Sequence, residues 1–366
     1  MTSPQPPPGQ HFLCNKLFQH PPYKRARKTT QASKMGDHTS VKFSNLAAII
    51  QEFNVDGQNV VQGFTKKEYY EKYNAPWFGA TIGRVANRIK GGVIDNLNGK
   101  QVKLETNDGA NALHGGSRGF GRLEFDGPTV MKRNGKESLL YTYLSPHGDQ
   151  GYPGTLELRV FYTVSEEVEG GLPRSILEIE YEAELVGDEV EETVVNITNH
   201  SYFNLSGAAS AAEGTTAKLA TRDYLPRDNG IPVGSIEQHD IDTTQPFEFG
   251  PSAAFDDCFI VDRDLSTVKI DTRSQPAKLL AEFRHKDSHI NLQVHSTDPA
   301  FQFYTGAFID VQEADGENPP RGPFAGFCIE PSRYVNAVNE PEWRHTVVLK
   351  KGEKYGSRIV YKAWRD

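Results

Sequence analysis

The sequence predicts an all-β fold, a large antiparallel β-sandwich with few short helices. Apolar and polar residues alternate with period two over much of the chain after Val41, turn-forming residues interrupt these runs at short intervals, and helical periodicity is scarce. A sandwich of this length need not divide into smaller units. We therefore predict one β-sandwich domain over residues 41–366.

Two segments show the alternation most clearly. In SILEIEYEAEL (175–185), apolar residues occupy every odd position from 177 to 185 and glutamate every even position from 178 to 184. LELRVFYTV (156–164) also places apolar residues at alternate positions. One apolar and one polar face is typical of an antiparallel strand that is buried on one side, so both segments are predicted strands.

Turn and helix signals complete the prediction of elements. Asn98 and Gly99 stand between two strand-like runs, and Asn-Gly favours the two-residue type I′ hairpin turn. AEFRHKDSHINLQVHS (281–296) is predicted to form a second hairpin. The best helical segment is TKKEYYEKYN (65–74), in which Thr65 and Glu68 have the spacing of a capping box.

The first forty residues differ in composition from the rest. They are rich in Pro, Gln, Thr and basic residues, their first acid is Asp37, and YKRARK (23–28) is a basic cluster. A segment that can bury so little apolar surface is expected to be a disordered N-terminal tail, residues 1–40. A transit or nuclear-localisation signal is the alternative interpretation.

Charge and cysteine content restrict the partners and the compartment. The formal net charge of -8 argues against nucleic acid and against an anionic membrane surface. No run of apolar residues is long enough for a membrane-spanning helix, and no apolar secretory segment begins the chain. The three cysteines, Cys14, Cys258 and Cys328, make no disulfide framework. We expect a cytoplasmic monomer or weak homodimer.

The segment ITNHSYFNLSG (197–207) contains the first candidate site residue. Alternation places Asn196, Thr198 and His200 on the face opposite Val195 and Ile197. Uncharged hydrogen-bonding groups that lead to an imidazole and then to aromatic residues are typical of a cleft for a polar ligand with apolar ring faces, such as a sugar. A structural histidine bonded to a backbone carbonyl is the alternative.

Four further segments carry polar residues next to apolar runs. Glu330 ends the apolar strand of PFAGFCIEP and is either an acid–base group with a raised pKa or a strand end in water. His114 in NALHGG precedes two glycines that allow close backbone approach. Asn87 and Arg88 lie in TIGRVANRI, and AFDDCFIV contains two acids where turn residues are the common explanation.

These segments, with two others, resemble the motifs of the aldose 1-epimerases (galactose mutarotases). In chain order they are TIGRVANRI, NALHGGSRGF, TNHSYFNLSG, FDDCF, QFYTG and GFCIEP, and the resemblance covers Val41 to Lys362. It implies the galactose mutarotase-like supersandwich, a large antiparallel β-sandwich. Departures from the family pattern are Asp257 in place of a common His, Asp298 in place of a common Gln, and the segment 208–222.

The resemblance also implies roles for single residues. His200 corresponds to the general acid, Glu330 to the general base, and His114 to a second histidine that hydrogen-bonds the sugar. Positions that bind sugar hydroxyls correspond to Asn87, Arg88, Asp256 and Gln302. The implied activity is interconversion of the α and β anomers of a free aldohexose, glucose or galactose, without metal or other cofactor.

Four alternatives stay open at the level of sequence. A glycoside hydrolase would use Glu330 and Asp256 as its carboxylate pair, and a non-catalytic paralogue would only bind sugar. A hexose-6-phosphate 1-epimerase would need an arginine cluster, for which Arg84, Arg88, Arg118 and Arg122 are available. His285 and His289, four residues apart, are the candidates for a zinc site.

Overall fold

A computed structural model describes residues 30–35, 38–207, 213–313 and 316–366, the first of these ranges by its backbone only. Two large sheets dominate the described part of the chain, and all pairings between their strands are antiparallel. The nine-stranded sheet contains, in spatial order, β10 (Asp126–Arg133), β11 (Lys136–Ser145), β12 (Leu156–Glu169), β13 (Leu172–Leu185), β29 (Tyr355–Arg365), β25 (Ile290–Ser296), β24 (Lys278–His285), β17 (Thr215–Leu219) and β22 (Phe247–Glu248).

The six-stranded sheet supplies most of the candidate site. In spatial order it contains β16 (Tyr202–Phe203), β27 (Phe327–Ser332), β26 (Ala300–Tyr304), β23 (Asp256–Ile260), β18 (Asp223–Leu225) and β21 (Glu237–Gln238). A four-stranded sheet contains β1 (Thr30–Met35), β2 (Thr39–Ser44), β3 (Ile50–Val55) and β4 (Gln58–Asn59).

The remaining strands form five antiparallel pairs. They are β5 (Ala80–Ile82) with β15 (Thr198–His200), β6 (Arg88–Ile89) with β9 (Ala112–Leu113), β7 (Val93–Leu97) with β8 (Lys100–Lys103), β14 (Glu192–Val194) with β28 (Val348–Lys350), and β19 (Arg227–Asp228) with β20 (Ile231–Pro232). Short 3-10 turns lie at Lys90–Gly92, Phe120–Arg122, Asp149–Gly151, Leu265–Thr267, Ala337–Asn339 and Arg344–Thr346.

The main hydrophobic core lies between the two large sheets, as expected for a sandwich. Leu177, Ile179 and Tyr181 of β13 belong to the same buried cluster as Phe303 of β26 and Phe327 of β27. Burial of each such side chain contributes about 1.5–3 kcal/mol relative to exposure in water. The predicted all-β class is therefore confirmed, and the apolar face of segment 175–185 is its core face.

The strand and hairpin predictions hold, with one difference on the polar face of β13. Asn98 and Gly99 have φ values of 53° and 71° between paired Leu97 and Lys100, as a type I′ turn requires. β24 and β25 form the second predicted hairpin. Glu180, placed by alternation on the polar face, is only 5% exposed because Arg133 and Asn134 cover it and bond its carboxylate.

The predicted helix is present, but its capping box is wrong. The helix α1 spans Lys67–Tyr73, and its N-cap is Lys66, which makes no side-chain capping bond. Thr65 lies outside the helix because its hydroxyl accepts a hydrogen bond from Asn318 Nδ2 at 3.0 Å. Within the described ranges, no helix has the length and apolar character needed to cross a membrane.

Part of the predicted N-terminal tail is ordered in strand form. Residues 30–35 form β1, which pairs with β2 from Thr30 opposite Ser44 to Met35 opposite Thr39. β1 thus lies within the range predicted to be the tail, and the division of the chain at residue 40 stays a prediction. Residues 1–29, which include Cys14 and the basic cluster 23–28, lie outside the described residues, and their disorder stays a prediction.

Candidate active site

The six-stranded sheet places three predicted site residues on one face. Gln302 on β26 lies opposite Glu330 on β27, and Cys258 on β23 lies opposite Gln302. Asp256 is two residues from Cys258 and therefore shares its face. The intervening residues of β26 and β27, Phe301, Phe303, Phe327 and Ile329, point into the core. The same alternation thus builds the hydrophobic core and aligns the side chains of Asp256, Gln302 and Glu330 on the opposite face.

His200 meets Glu330 at the centre of this face. His200 ends β15, where it pairs with Ala80 of β5. Its Nε2 lies 3.5 Å from Glu330 Oε2, and its Nδ1 lies 3.5 Å from Cys328 Sγ. His200 and Glu330 are each only 4% exposed. An imidazole and a carboxyl group therefore share a buried environment in which one proton can pass between them.

His114 stands beside this pair and has a defined orientation. Its ring centroid lies 5.3 Å from that of His200. The backbone N–H of Asn87 donates to His114 Nδ1 at 3.2 Å, so the neutral ring carries its proton on Nε2. The next residue, Gly115, packs against the Gly83 carbonyl oxygen, which a Cβ would approach to 2.0 Å. His114 can thus act as a hydrogen-bond donor.

Asn87, Gln302 and Asp256 form a hydrogen-bonded chain across the site. Asn87 Nδ2 donates to Gln302 Oε1 at 3.2 Å, and Gln302 Nε2 donates to Asp256 Oδ1 at 2.8 Å. Asn87 Oδ1 is buried and has no hydrogen-bond partner among the described residues. A buried acceptor of this kind normally finds a partner, so it is suited to accept a bond from a ligand hydroxyl.

Arg88 lies at the edge of the same group. Its Nε donates to Asp108 Oδ2 at 2.6 Å, and its side chain is 21% exposed. The structure therefore brings together all seven residues expected at the site, with Arg88 already engaged in an ion pair.

The sequence analysis missed one aromatic residue of the site. The ring centroid of Trp77 lies 4.9 Å from that of His114 and 6.0 Å from that of His200. The guanidinium of Arg122 lies 5.0 Å from the Trp77 ring centroid. Trp77 precedes the motif TIGRVANRI by a few residues, which was the only signal available in the sequence.

Burial controls the charges of the three ionisable groups. Burial is the main cause that raises the pKa of Glu330 to about 8. The nearby charge of Asp256 adds to this effect, and that of Arg88 opposes it. Burial, with a smaller effect of Arg122, lowers the pKa of His200 to about 4. Burial and the neighbouring charge of His200 lower the pKa of His114 well below its usual value. Near neutral pH the His200–Glu330 pair therefore holds one proton, and burial favours its residence on the carboxyl group.

Comparison with known proteins identifies the family. A sequence profile described as Aldose 1-epimerase matches residues 32–362. The chain belongs to the aldose 1-epimerase family. The resemblance seen in the six sequence motifs is thereby confirmed.

Individual relatives support this assignment. The chain is 37% identical to a galactose mutarotase of Sus scrofa over 311 residues, which cover 81% of each chain. It is 35% identical over 324 residues to a bifunctional protein gal10 of Schizosaccharomyces pombe, and spans only 43% of that protein's length. A solved GalM/aldose epimerase homologue from C. elegans has the same fold, with a TM-score of 0.76 and 24% identity over 92% of this chain and 98% of that one.

The departures from the family pattern have different structural settings. Asp298 is fully buried and forms an ion pair and hydrogen bond with the fully buried Arg333. Asp257 lies beside Asp256, with Arg227 Nε 3.6 Å from its Oδ1. In the segment 208–222, residues 213–222 are described and include β17 of the nine-stranded sheet. Asp298 is therefore structural, whereas Asp257 borders the site.

Two histidine groups bear on metal binding. Ligand atoms of His114, His200 and Glu330 lie within 4.8 Å of one another, so these three side chains could hold a metal ion. His285 has its ring nitrogens at 3.1 Å from Ser288 Oγ and 2.9 Å from the Glu213 carbonyl oxygen. Both nitrogens are thus engaged, which argues against the zinc site considered at His285 and His289.

Proposed function

We propose that this protein interconverts the α and β anomers of a free aldohexose, such as glucose or galactose, by general acid–base ring opening and closure. The observation that carries the proposal is the buried His200–Glu330 pair with 3.5 Å between its reactive atoms. Membership in the aldose 1-epimerase family and similarity to galactose mutarotases support it.

Anomer interconversion needs one acid and one base near the anomeric carbon. The C1 hydroxyl loses a proton, the ring oxygen gains one, and the ring C1–O bond breaks to give the open-chain aldehyde. Rotation about C1–C2 and ring closure on the other face give the opposite anomer. A pair that holds a single proton supplies both functions, each worth on the order of 10²–10⁴-fold in rate.

We assign Glu330 as the base for the C1 hydroxyl and His200 as the acid for the ring oxygen. Since burial favours the proton on Glu330, this assignment requires transfer of that proton to His200 in the sugar complex. Their 3.5 Å separation is longer than a hydrogen bond, and such contacts commonly shorten when substrate binds. Ring closure returns the protons, so the pair needs no external reagent.

The other site residues would hold the sugar. His114 offers its Nε2–H to a sugar oxygen, because Asn87 N–H occupies Nδ1. Asp256 and the unpartnered Oδ1 of Asn87 would accept bonds from ring hydroxyls, while Gln302 would fix the spacing between them. Arg88 would contribute its remaining donors.

The arginines near the site favour a neutral sugar over a phosphosugar. Arg84 is 2% exposed and donates to Ser145, Pro146 and Pro153. Arg88 is paired with Asp108, and Arg122 donates to the Asn74 carbonyl while covering Trp77. Only Arg118 of the four candidates has no ion pair or side-chain hydrogen bond of its guanidinium among the described residues. One such arginine is not the cluster that a phosphate group requires.

Location and assembly remain predictions from the sequence. We propose a cytoplasmic protein that acts on small sugars, with no nucleic-acid or membrane partner, as a monomer or weak homodimer. The negative net charge and the scarcity of cysteine support this proposal.

Polarimetry tests the proposed reaction directly. Freshly dissolved α-D-galactose or α-D-glucose should approach anomeric equilibrium faster with the protein than without it, in proportion to protein concentration. A Glu330→Gln variant purified in the same way controls for contaminating epimerase. No acceleration of either sugar would overturn the proposal, and acceleration of only the 6-phosphates would favour the phosphosugar alternative.

A further inference from the structure

We propose that Arg227 is a substrate-specificity residue that reads, together with Asp256, one hydroxyl of the sugar. This inference rests on the proposed function, because it assigns a further contact within the same site. No motif in the sequence pointed to Arg227. Its position is given by its ion-pair contacts and by the contacts of the hairpin that carries it.

Arg227 follows β18 by two residues and its side chain contacts Asp256. β18 pairs with β23 through Tyr224 opposite Phe259 and Leu225 opposite Cys258. This pairing ends at Leu225, and Arg227, two residues further on, brings its guanidinium to 3.2 Å from Asp256 on the side of the sheet that carries Gln302 and Glu330. The row of site residues therefore extends by one arginine beyond the residues implied by the family motifs.

The guanidinium of Arg227 has unused hydrogen-bonding capacity. Its Nη2 lies 3.2 Å from Asp256 Oδ2, and its Nε lies 3.6 Å from Asp257 Oδ1. Among the described residues, the Arg227 side chain makes these two ion pairs and donates no further hydrogen bond. By contrast, Arg263, which follows β23, uses its guanidinium to donate two hydrogen bonds to Asp223 at the start of β18. Arg227 therefore retains donors for a ligand, and its side chain is 34% exposed.

The hairpin that carries Arg227 is fixed against other residues of the site. β19 and β20 are joined by Asn229 and Gly230, which have φ values of 49° and 74°. A Cβ at Gly230 would lie 2.5 Å from Arg88 Nε, so only glycine packs there without displacement. Asn111 Nδ2 donates to the Asn229 carbonyl at 3.3 Å. Contacts with Arg88, Asn111 and Asp256 thus hold the hairpin as a wall of the site.

The local charge indicates a neutral substituent. Asp256 and Asp257 together carry two negative charges beside the positive charge of Arg227, and Asp257 itself stands where the family commonly has histidine. Arg88, the other cation near Asp256, is paired with Asp108. An anionic group would be repelled by the excess negative charge. A hydroxyl can donate its hydrogen to Asp256 and accept from Arg227, so the pair would read both polar functions of one group.

A deoxy-sugar series with an Arg227→Met variant tests the proposal. The KM for D-galactose should rise at least about tenfold, as expected for loss of a hydrogen bond to a charged group, with kcat little changed. The same rise should occur with all but one of the 2-, 3-, 4- and 6-deoxy derivatives. For the derivative that lacks the hydroxyl read by Arg227, parent and variant should have the same KM.

The matched control is Arg263→Met, which removes an arginine that is also paired with an aspartate on the same sheet. Its KM values should equal those of the parent protein. An unchanged KM for every sugar in Arg227→Met, or an equal rise for every derivative, would overturn the proposal. Preference of the parent for galactose 6-phosphate, lost in the variant, would overturn it in favour of anion recognition.

Two further measurements separate other causes of failure. If Arg227→Met does not fold, Arg227→Gln is measured in its place, with thermal unfolding of both compared with that of the parent. If the parent protein accelerates no aldose at all, the proposed function fails, and NMR titration with galactose and its deoxy derivatives then tests sugar recognition. Equal sugar affinities of parent and variant in that titration would overturn the role of Arg227.

Discussion

Gln302 lies opposite Glu330 on neighbouring strands and bonds Asn87 through one end of its amide and Asp256 through the other. One side chain thus connects the candidate acid–base pair with the groups expected to bind hydroxyls. Because backbone pairing fixes Gln302 relative to Glu330, β-sheet geometry sets the distance between the acid–base pair and the residues expected to bind sugar hydroxyls. Binding and catalysis can therefore be tested separately by mutation.

Removing either member of the acid–base pair should lower kcat and leave KM nearly unchanged. Glu330→Gln and His200→Gln keep approximate size and polarity, but lose a group that transfers protons in the transition state. We expect kcat in polarimetric assays to fall by roughly two to four orders of magnitude in each variant.

Glu178→Gln is a suitable control for the loss of a partly buried strand carboxylate, since Glu178 lies on β13 away from the site. It should retain the parent rate. A Glu330→Gln variant with normal kcat and weakened sugar binding would make Glu330 a binding residue, and the base would then be sought at Asp256 or His114.

The pH profile of kcat/KM should be bell-shaped, with limbs set by the pKa values of His200, about 4, and Glu330, about 8. Below the lower value both groups are protonated and no base remains, whereas above the higher value both have lost their protons and no acid remains. Activity therefore requires the one-proton form between these limits.

In Glu330→Gln only His200 of the pair still titrates, and because His200 serves as the acid, the residual activity should lose its acid limb and fall at a pH below 8. His200→Gln should show the opposite change, with no alkaline limb and an activity that rises as Glu330 loses its proton. An alkaline limb that persists near pH 8 in Glu330→Gln would place the titrating acid on another residue.

Asp256→Asn should affect binding more than turnover. The variant loses a charged acceptor, worth about 1.5–3 kcal/mol in a desolvated site, so KM should rise by roughly one to two orders of magnitude while kcat falls less. Steady-state polarimetry with galactose measures both constants. A fall in kcat as large as that of Glu330→Gln, at unchanged KM, would assign Asp256 to the chemical step.

Periodicity and short motifs were sufficient to predict the fold class, the hairpin at Asn98 and Gly99, and seven residues that converge in space. They succeeded because alternation reports the core face of a strand, and because the motif residues follow one family pattern. The capping box at Thr65 failed because a distant residue, Asn318, bonds that hydroxyl, and a local pattern carries no information about such a contact.

Other features of the site depend on contacts between distant parts of the chain. Trp77 reaches His114 and His200 only after β5 pairs with β15, and Arg227 contacts Asp256 from the β19–β20 hairpin that follows β18. A raised pKa of Glu330 was one of two interpretations that the sequence left open, but nothing in the sequence predicted the lowered pKa of His200. Burial reverses the ordinary order of the Glu330 and His200 pKa values, and burial on all sides depends on the completed fold.

Truncation at the N-terminus should separate the predicted tail from the strand that the structure adds to it. Deleting residues 1–29 should leave the thermal unfolding midpoint and the polarimetric rate close to those of the full chain, because the predicted tail buries little surface.

Deleting residues 1–36 also removes β1 and its pairing with β2. We expect this longer deletion to lower the unfolding midpoint, since it exposes the backbone groups of β2 and uncovers a new sheet edge. The kcat should change little in either variant, because the acid–base pair lies on β15 and β27. Equal midpoints for both deletions would show that β1 adds no stability, whereas a large fall on deleting residues 1–29 would show that those residues dock onto the domain.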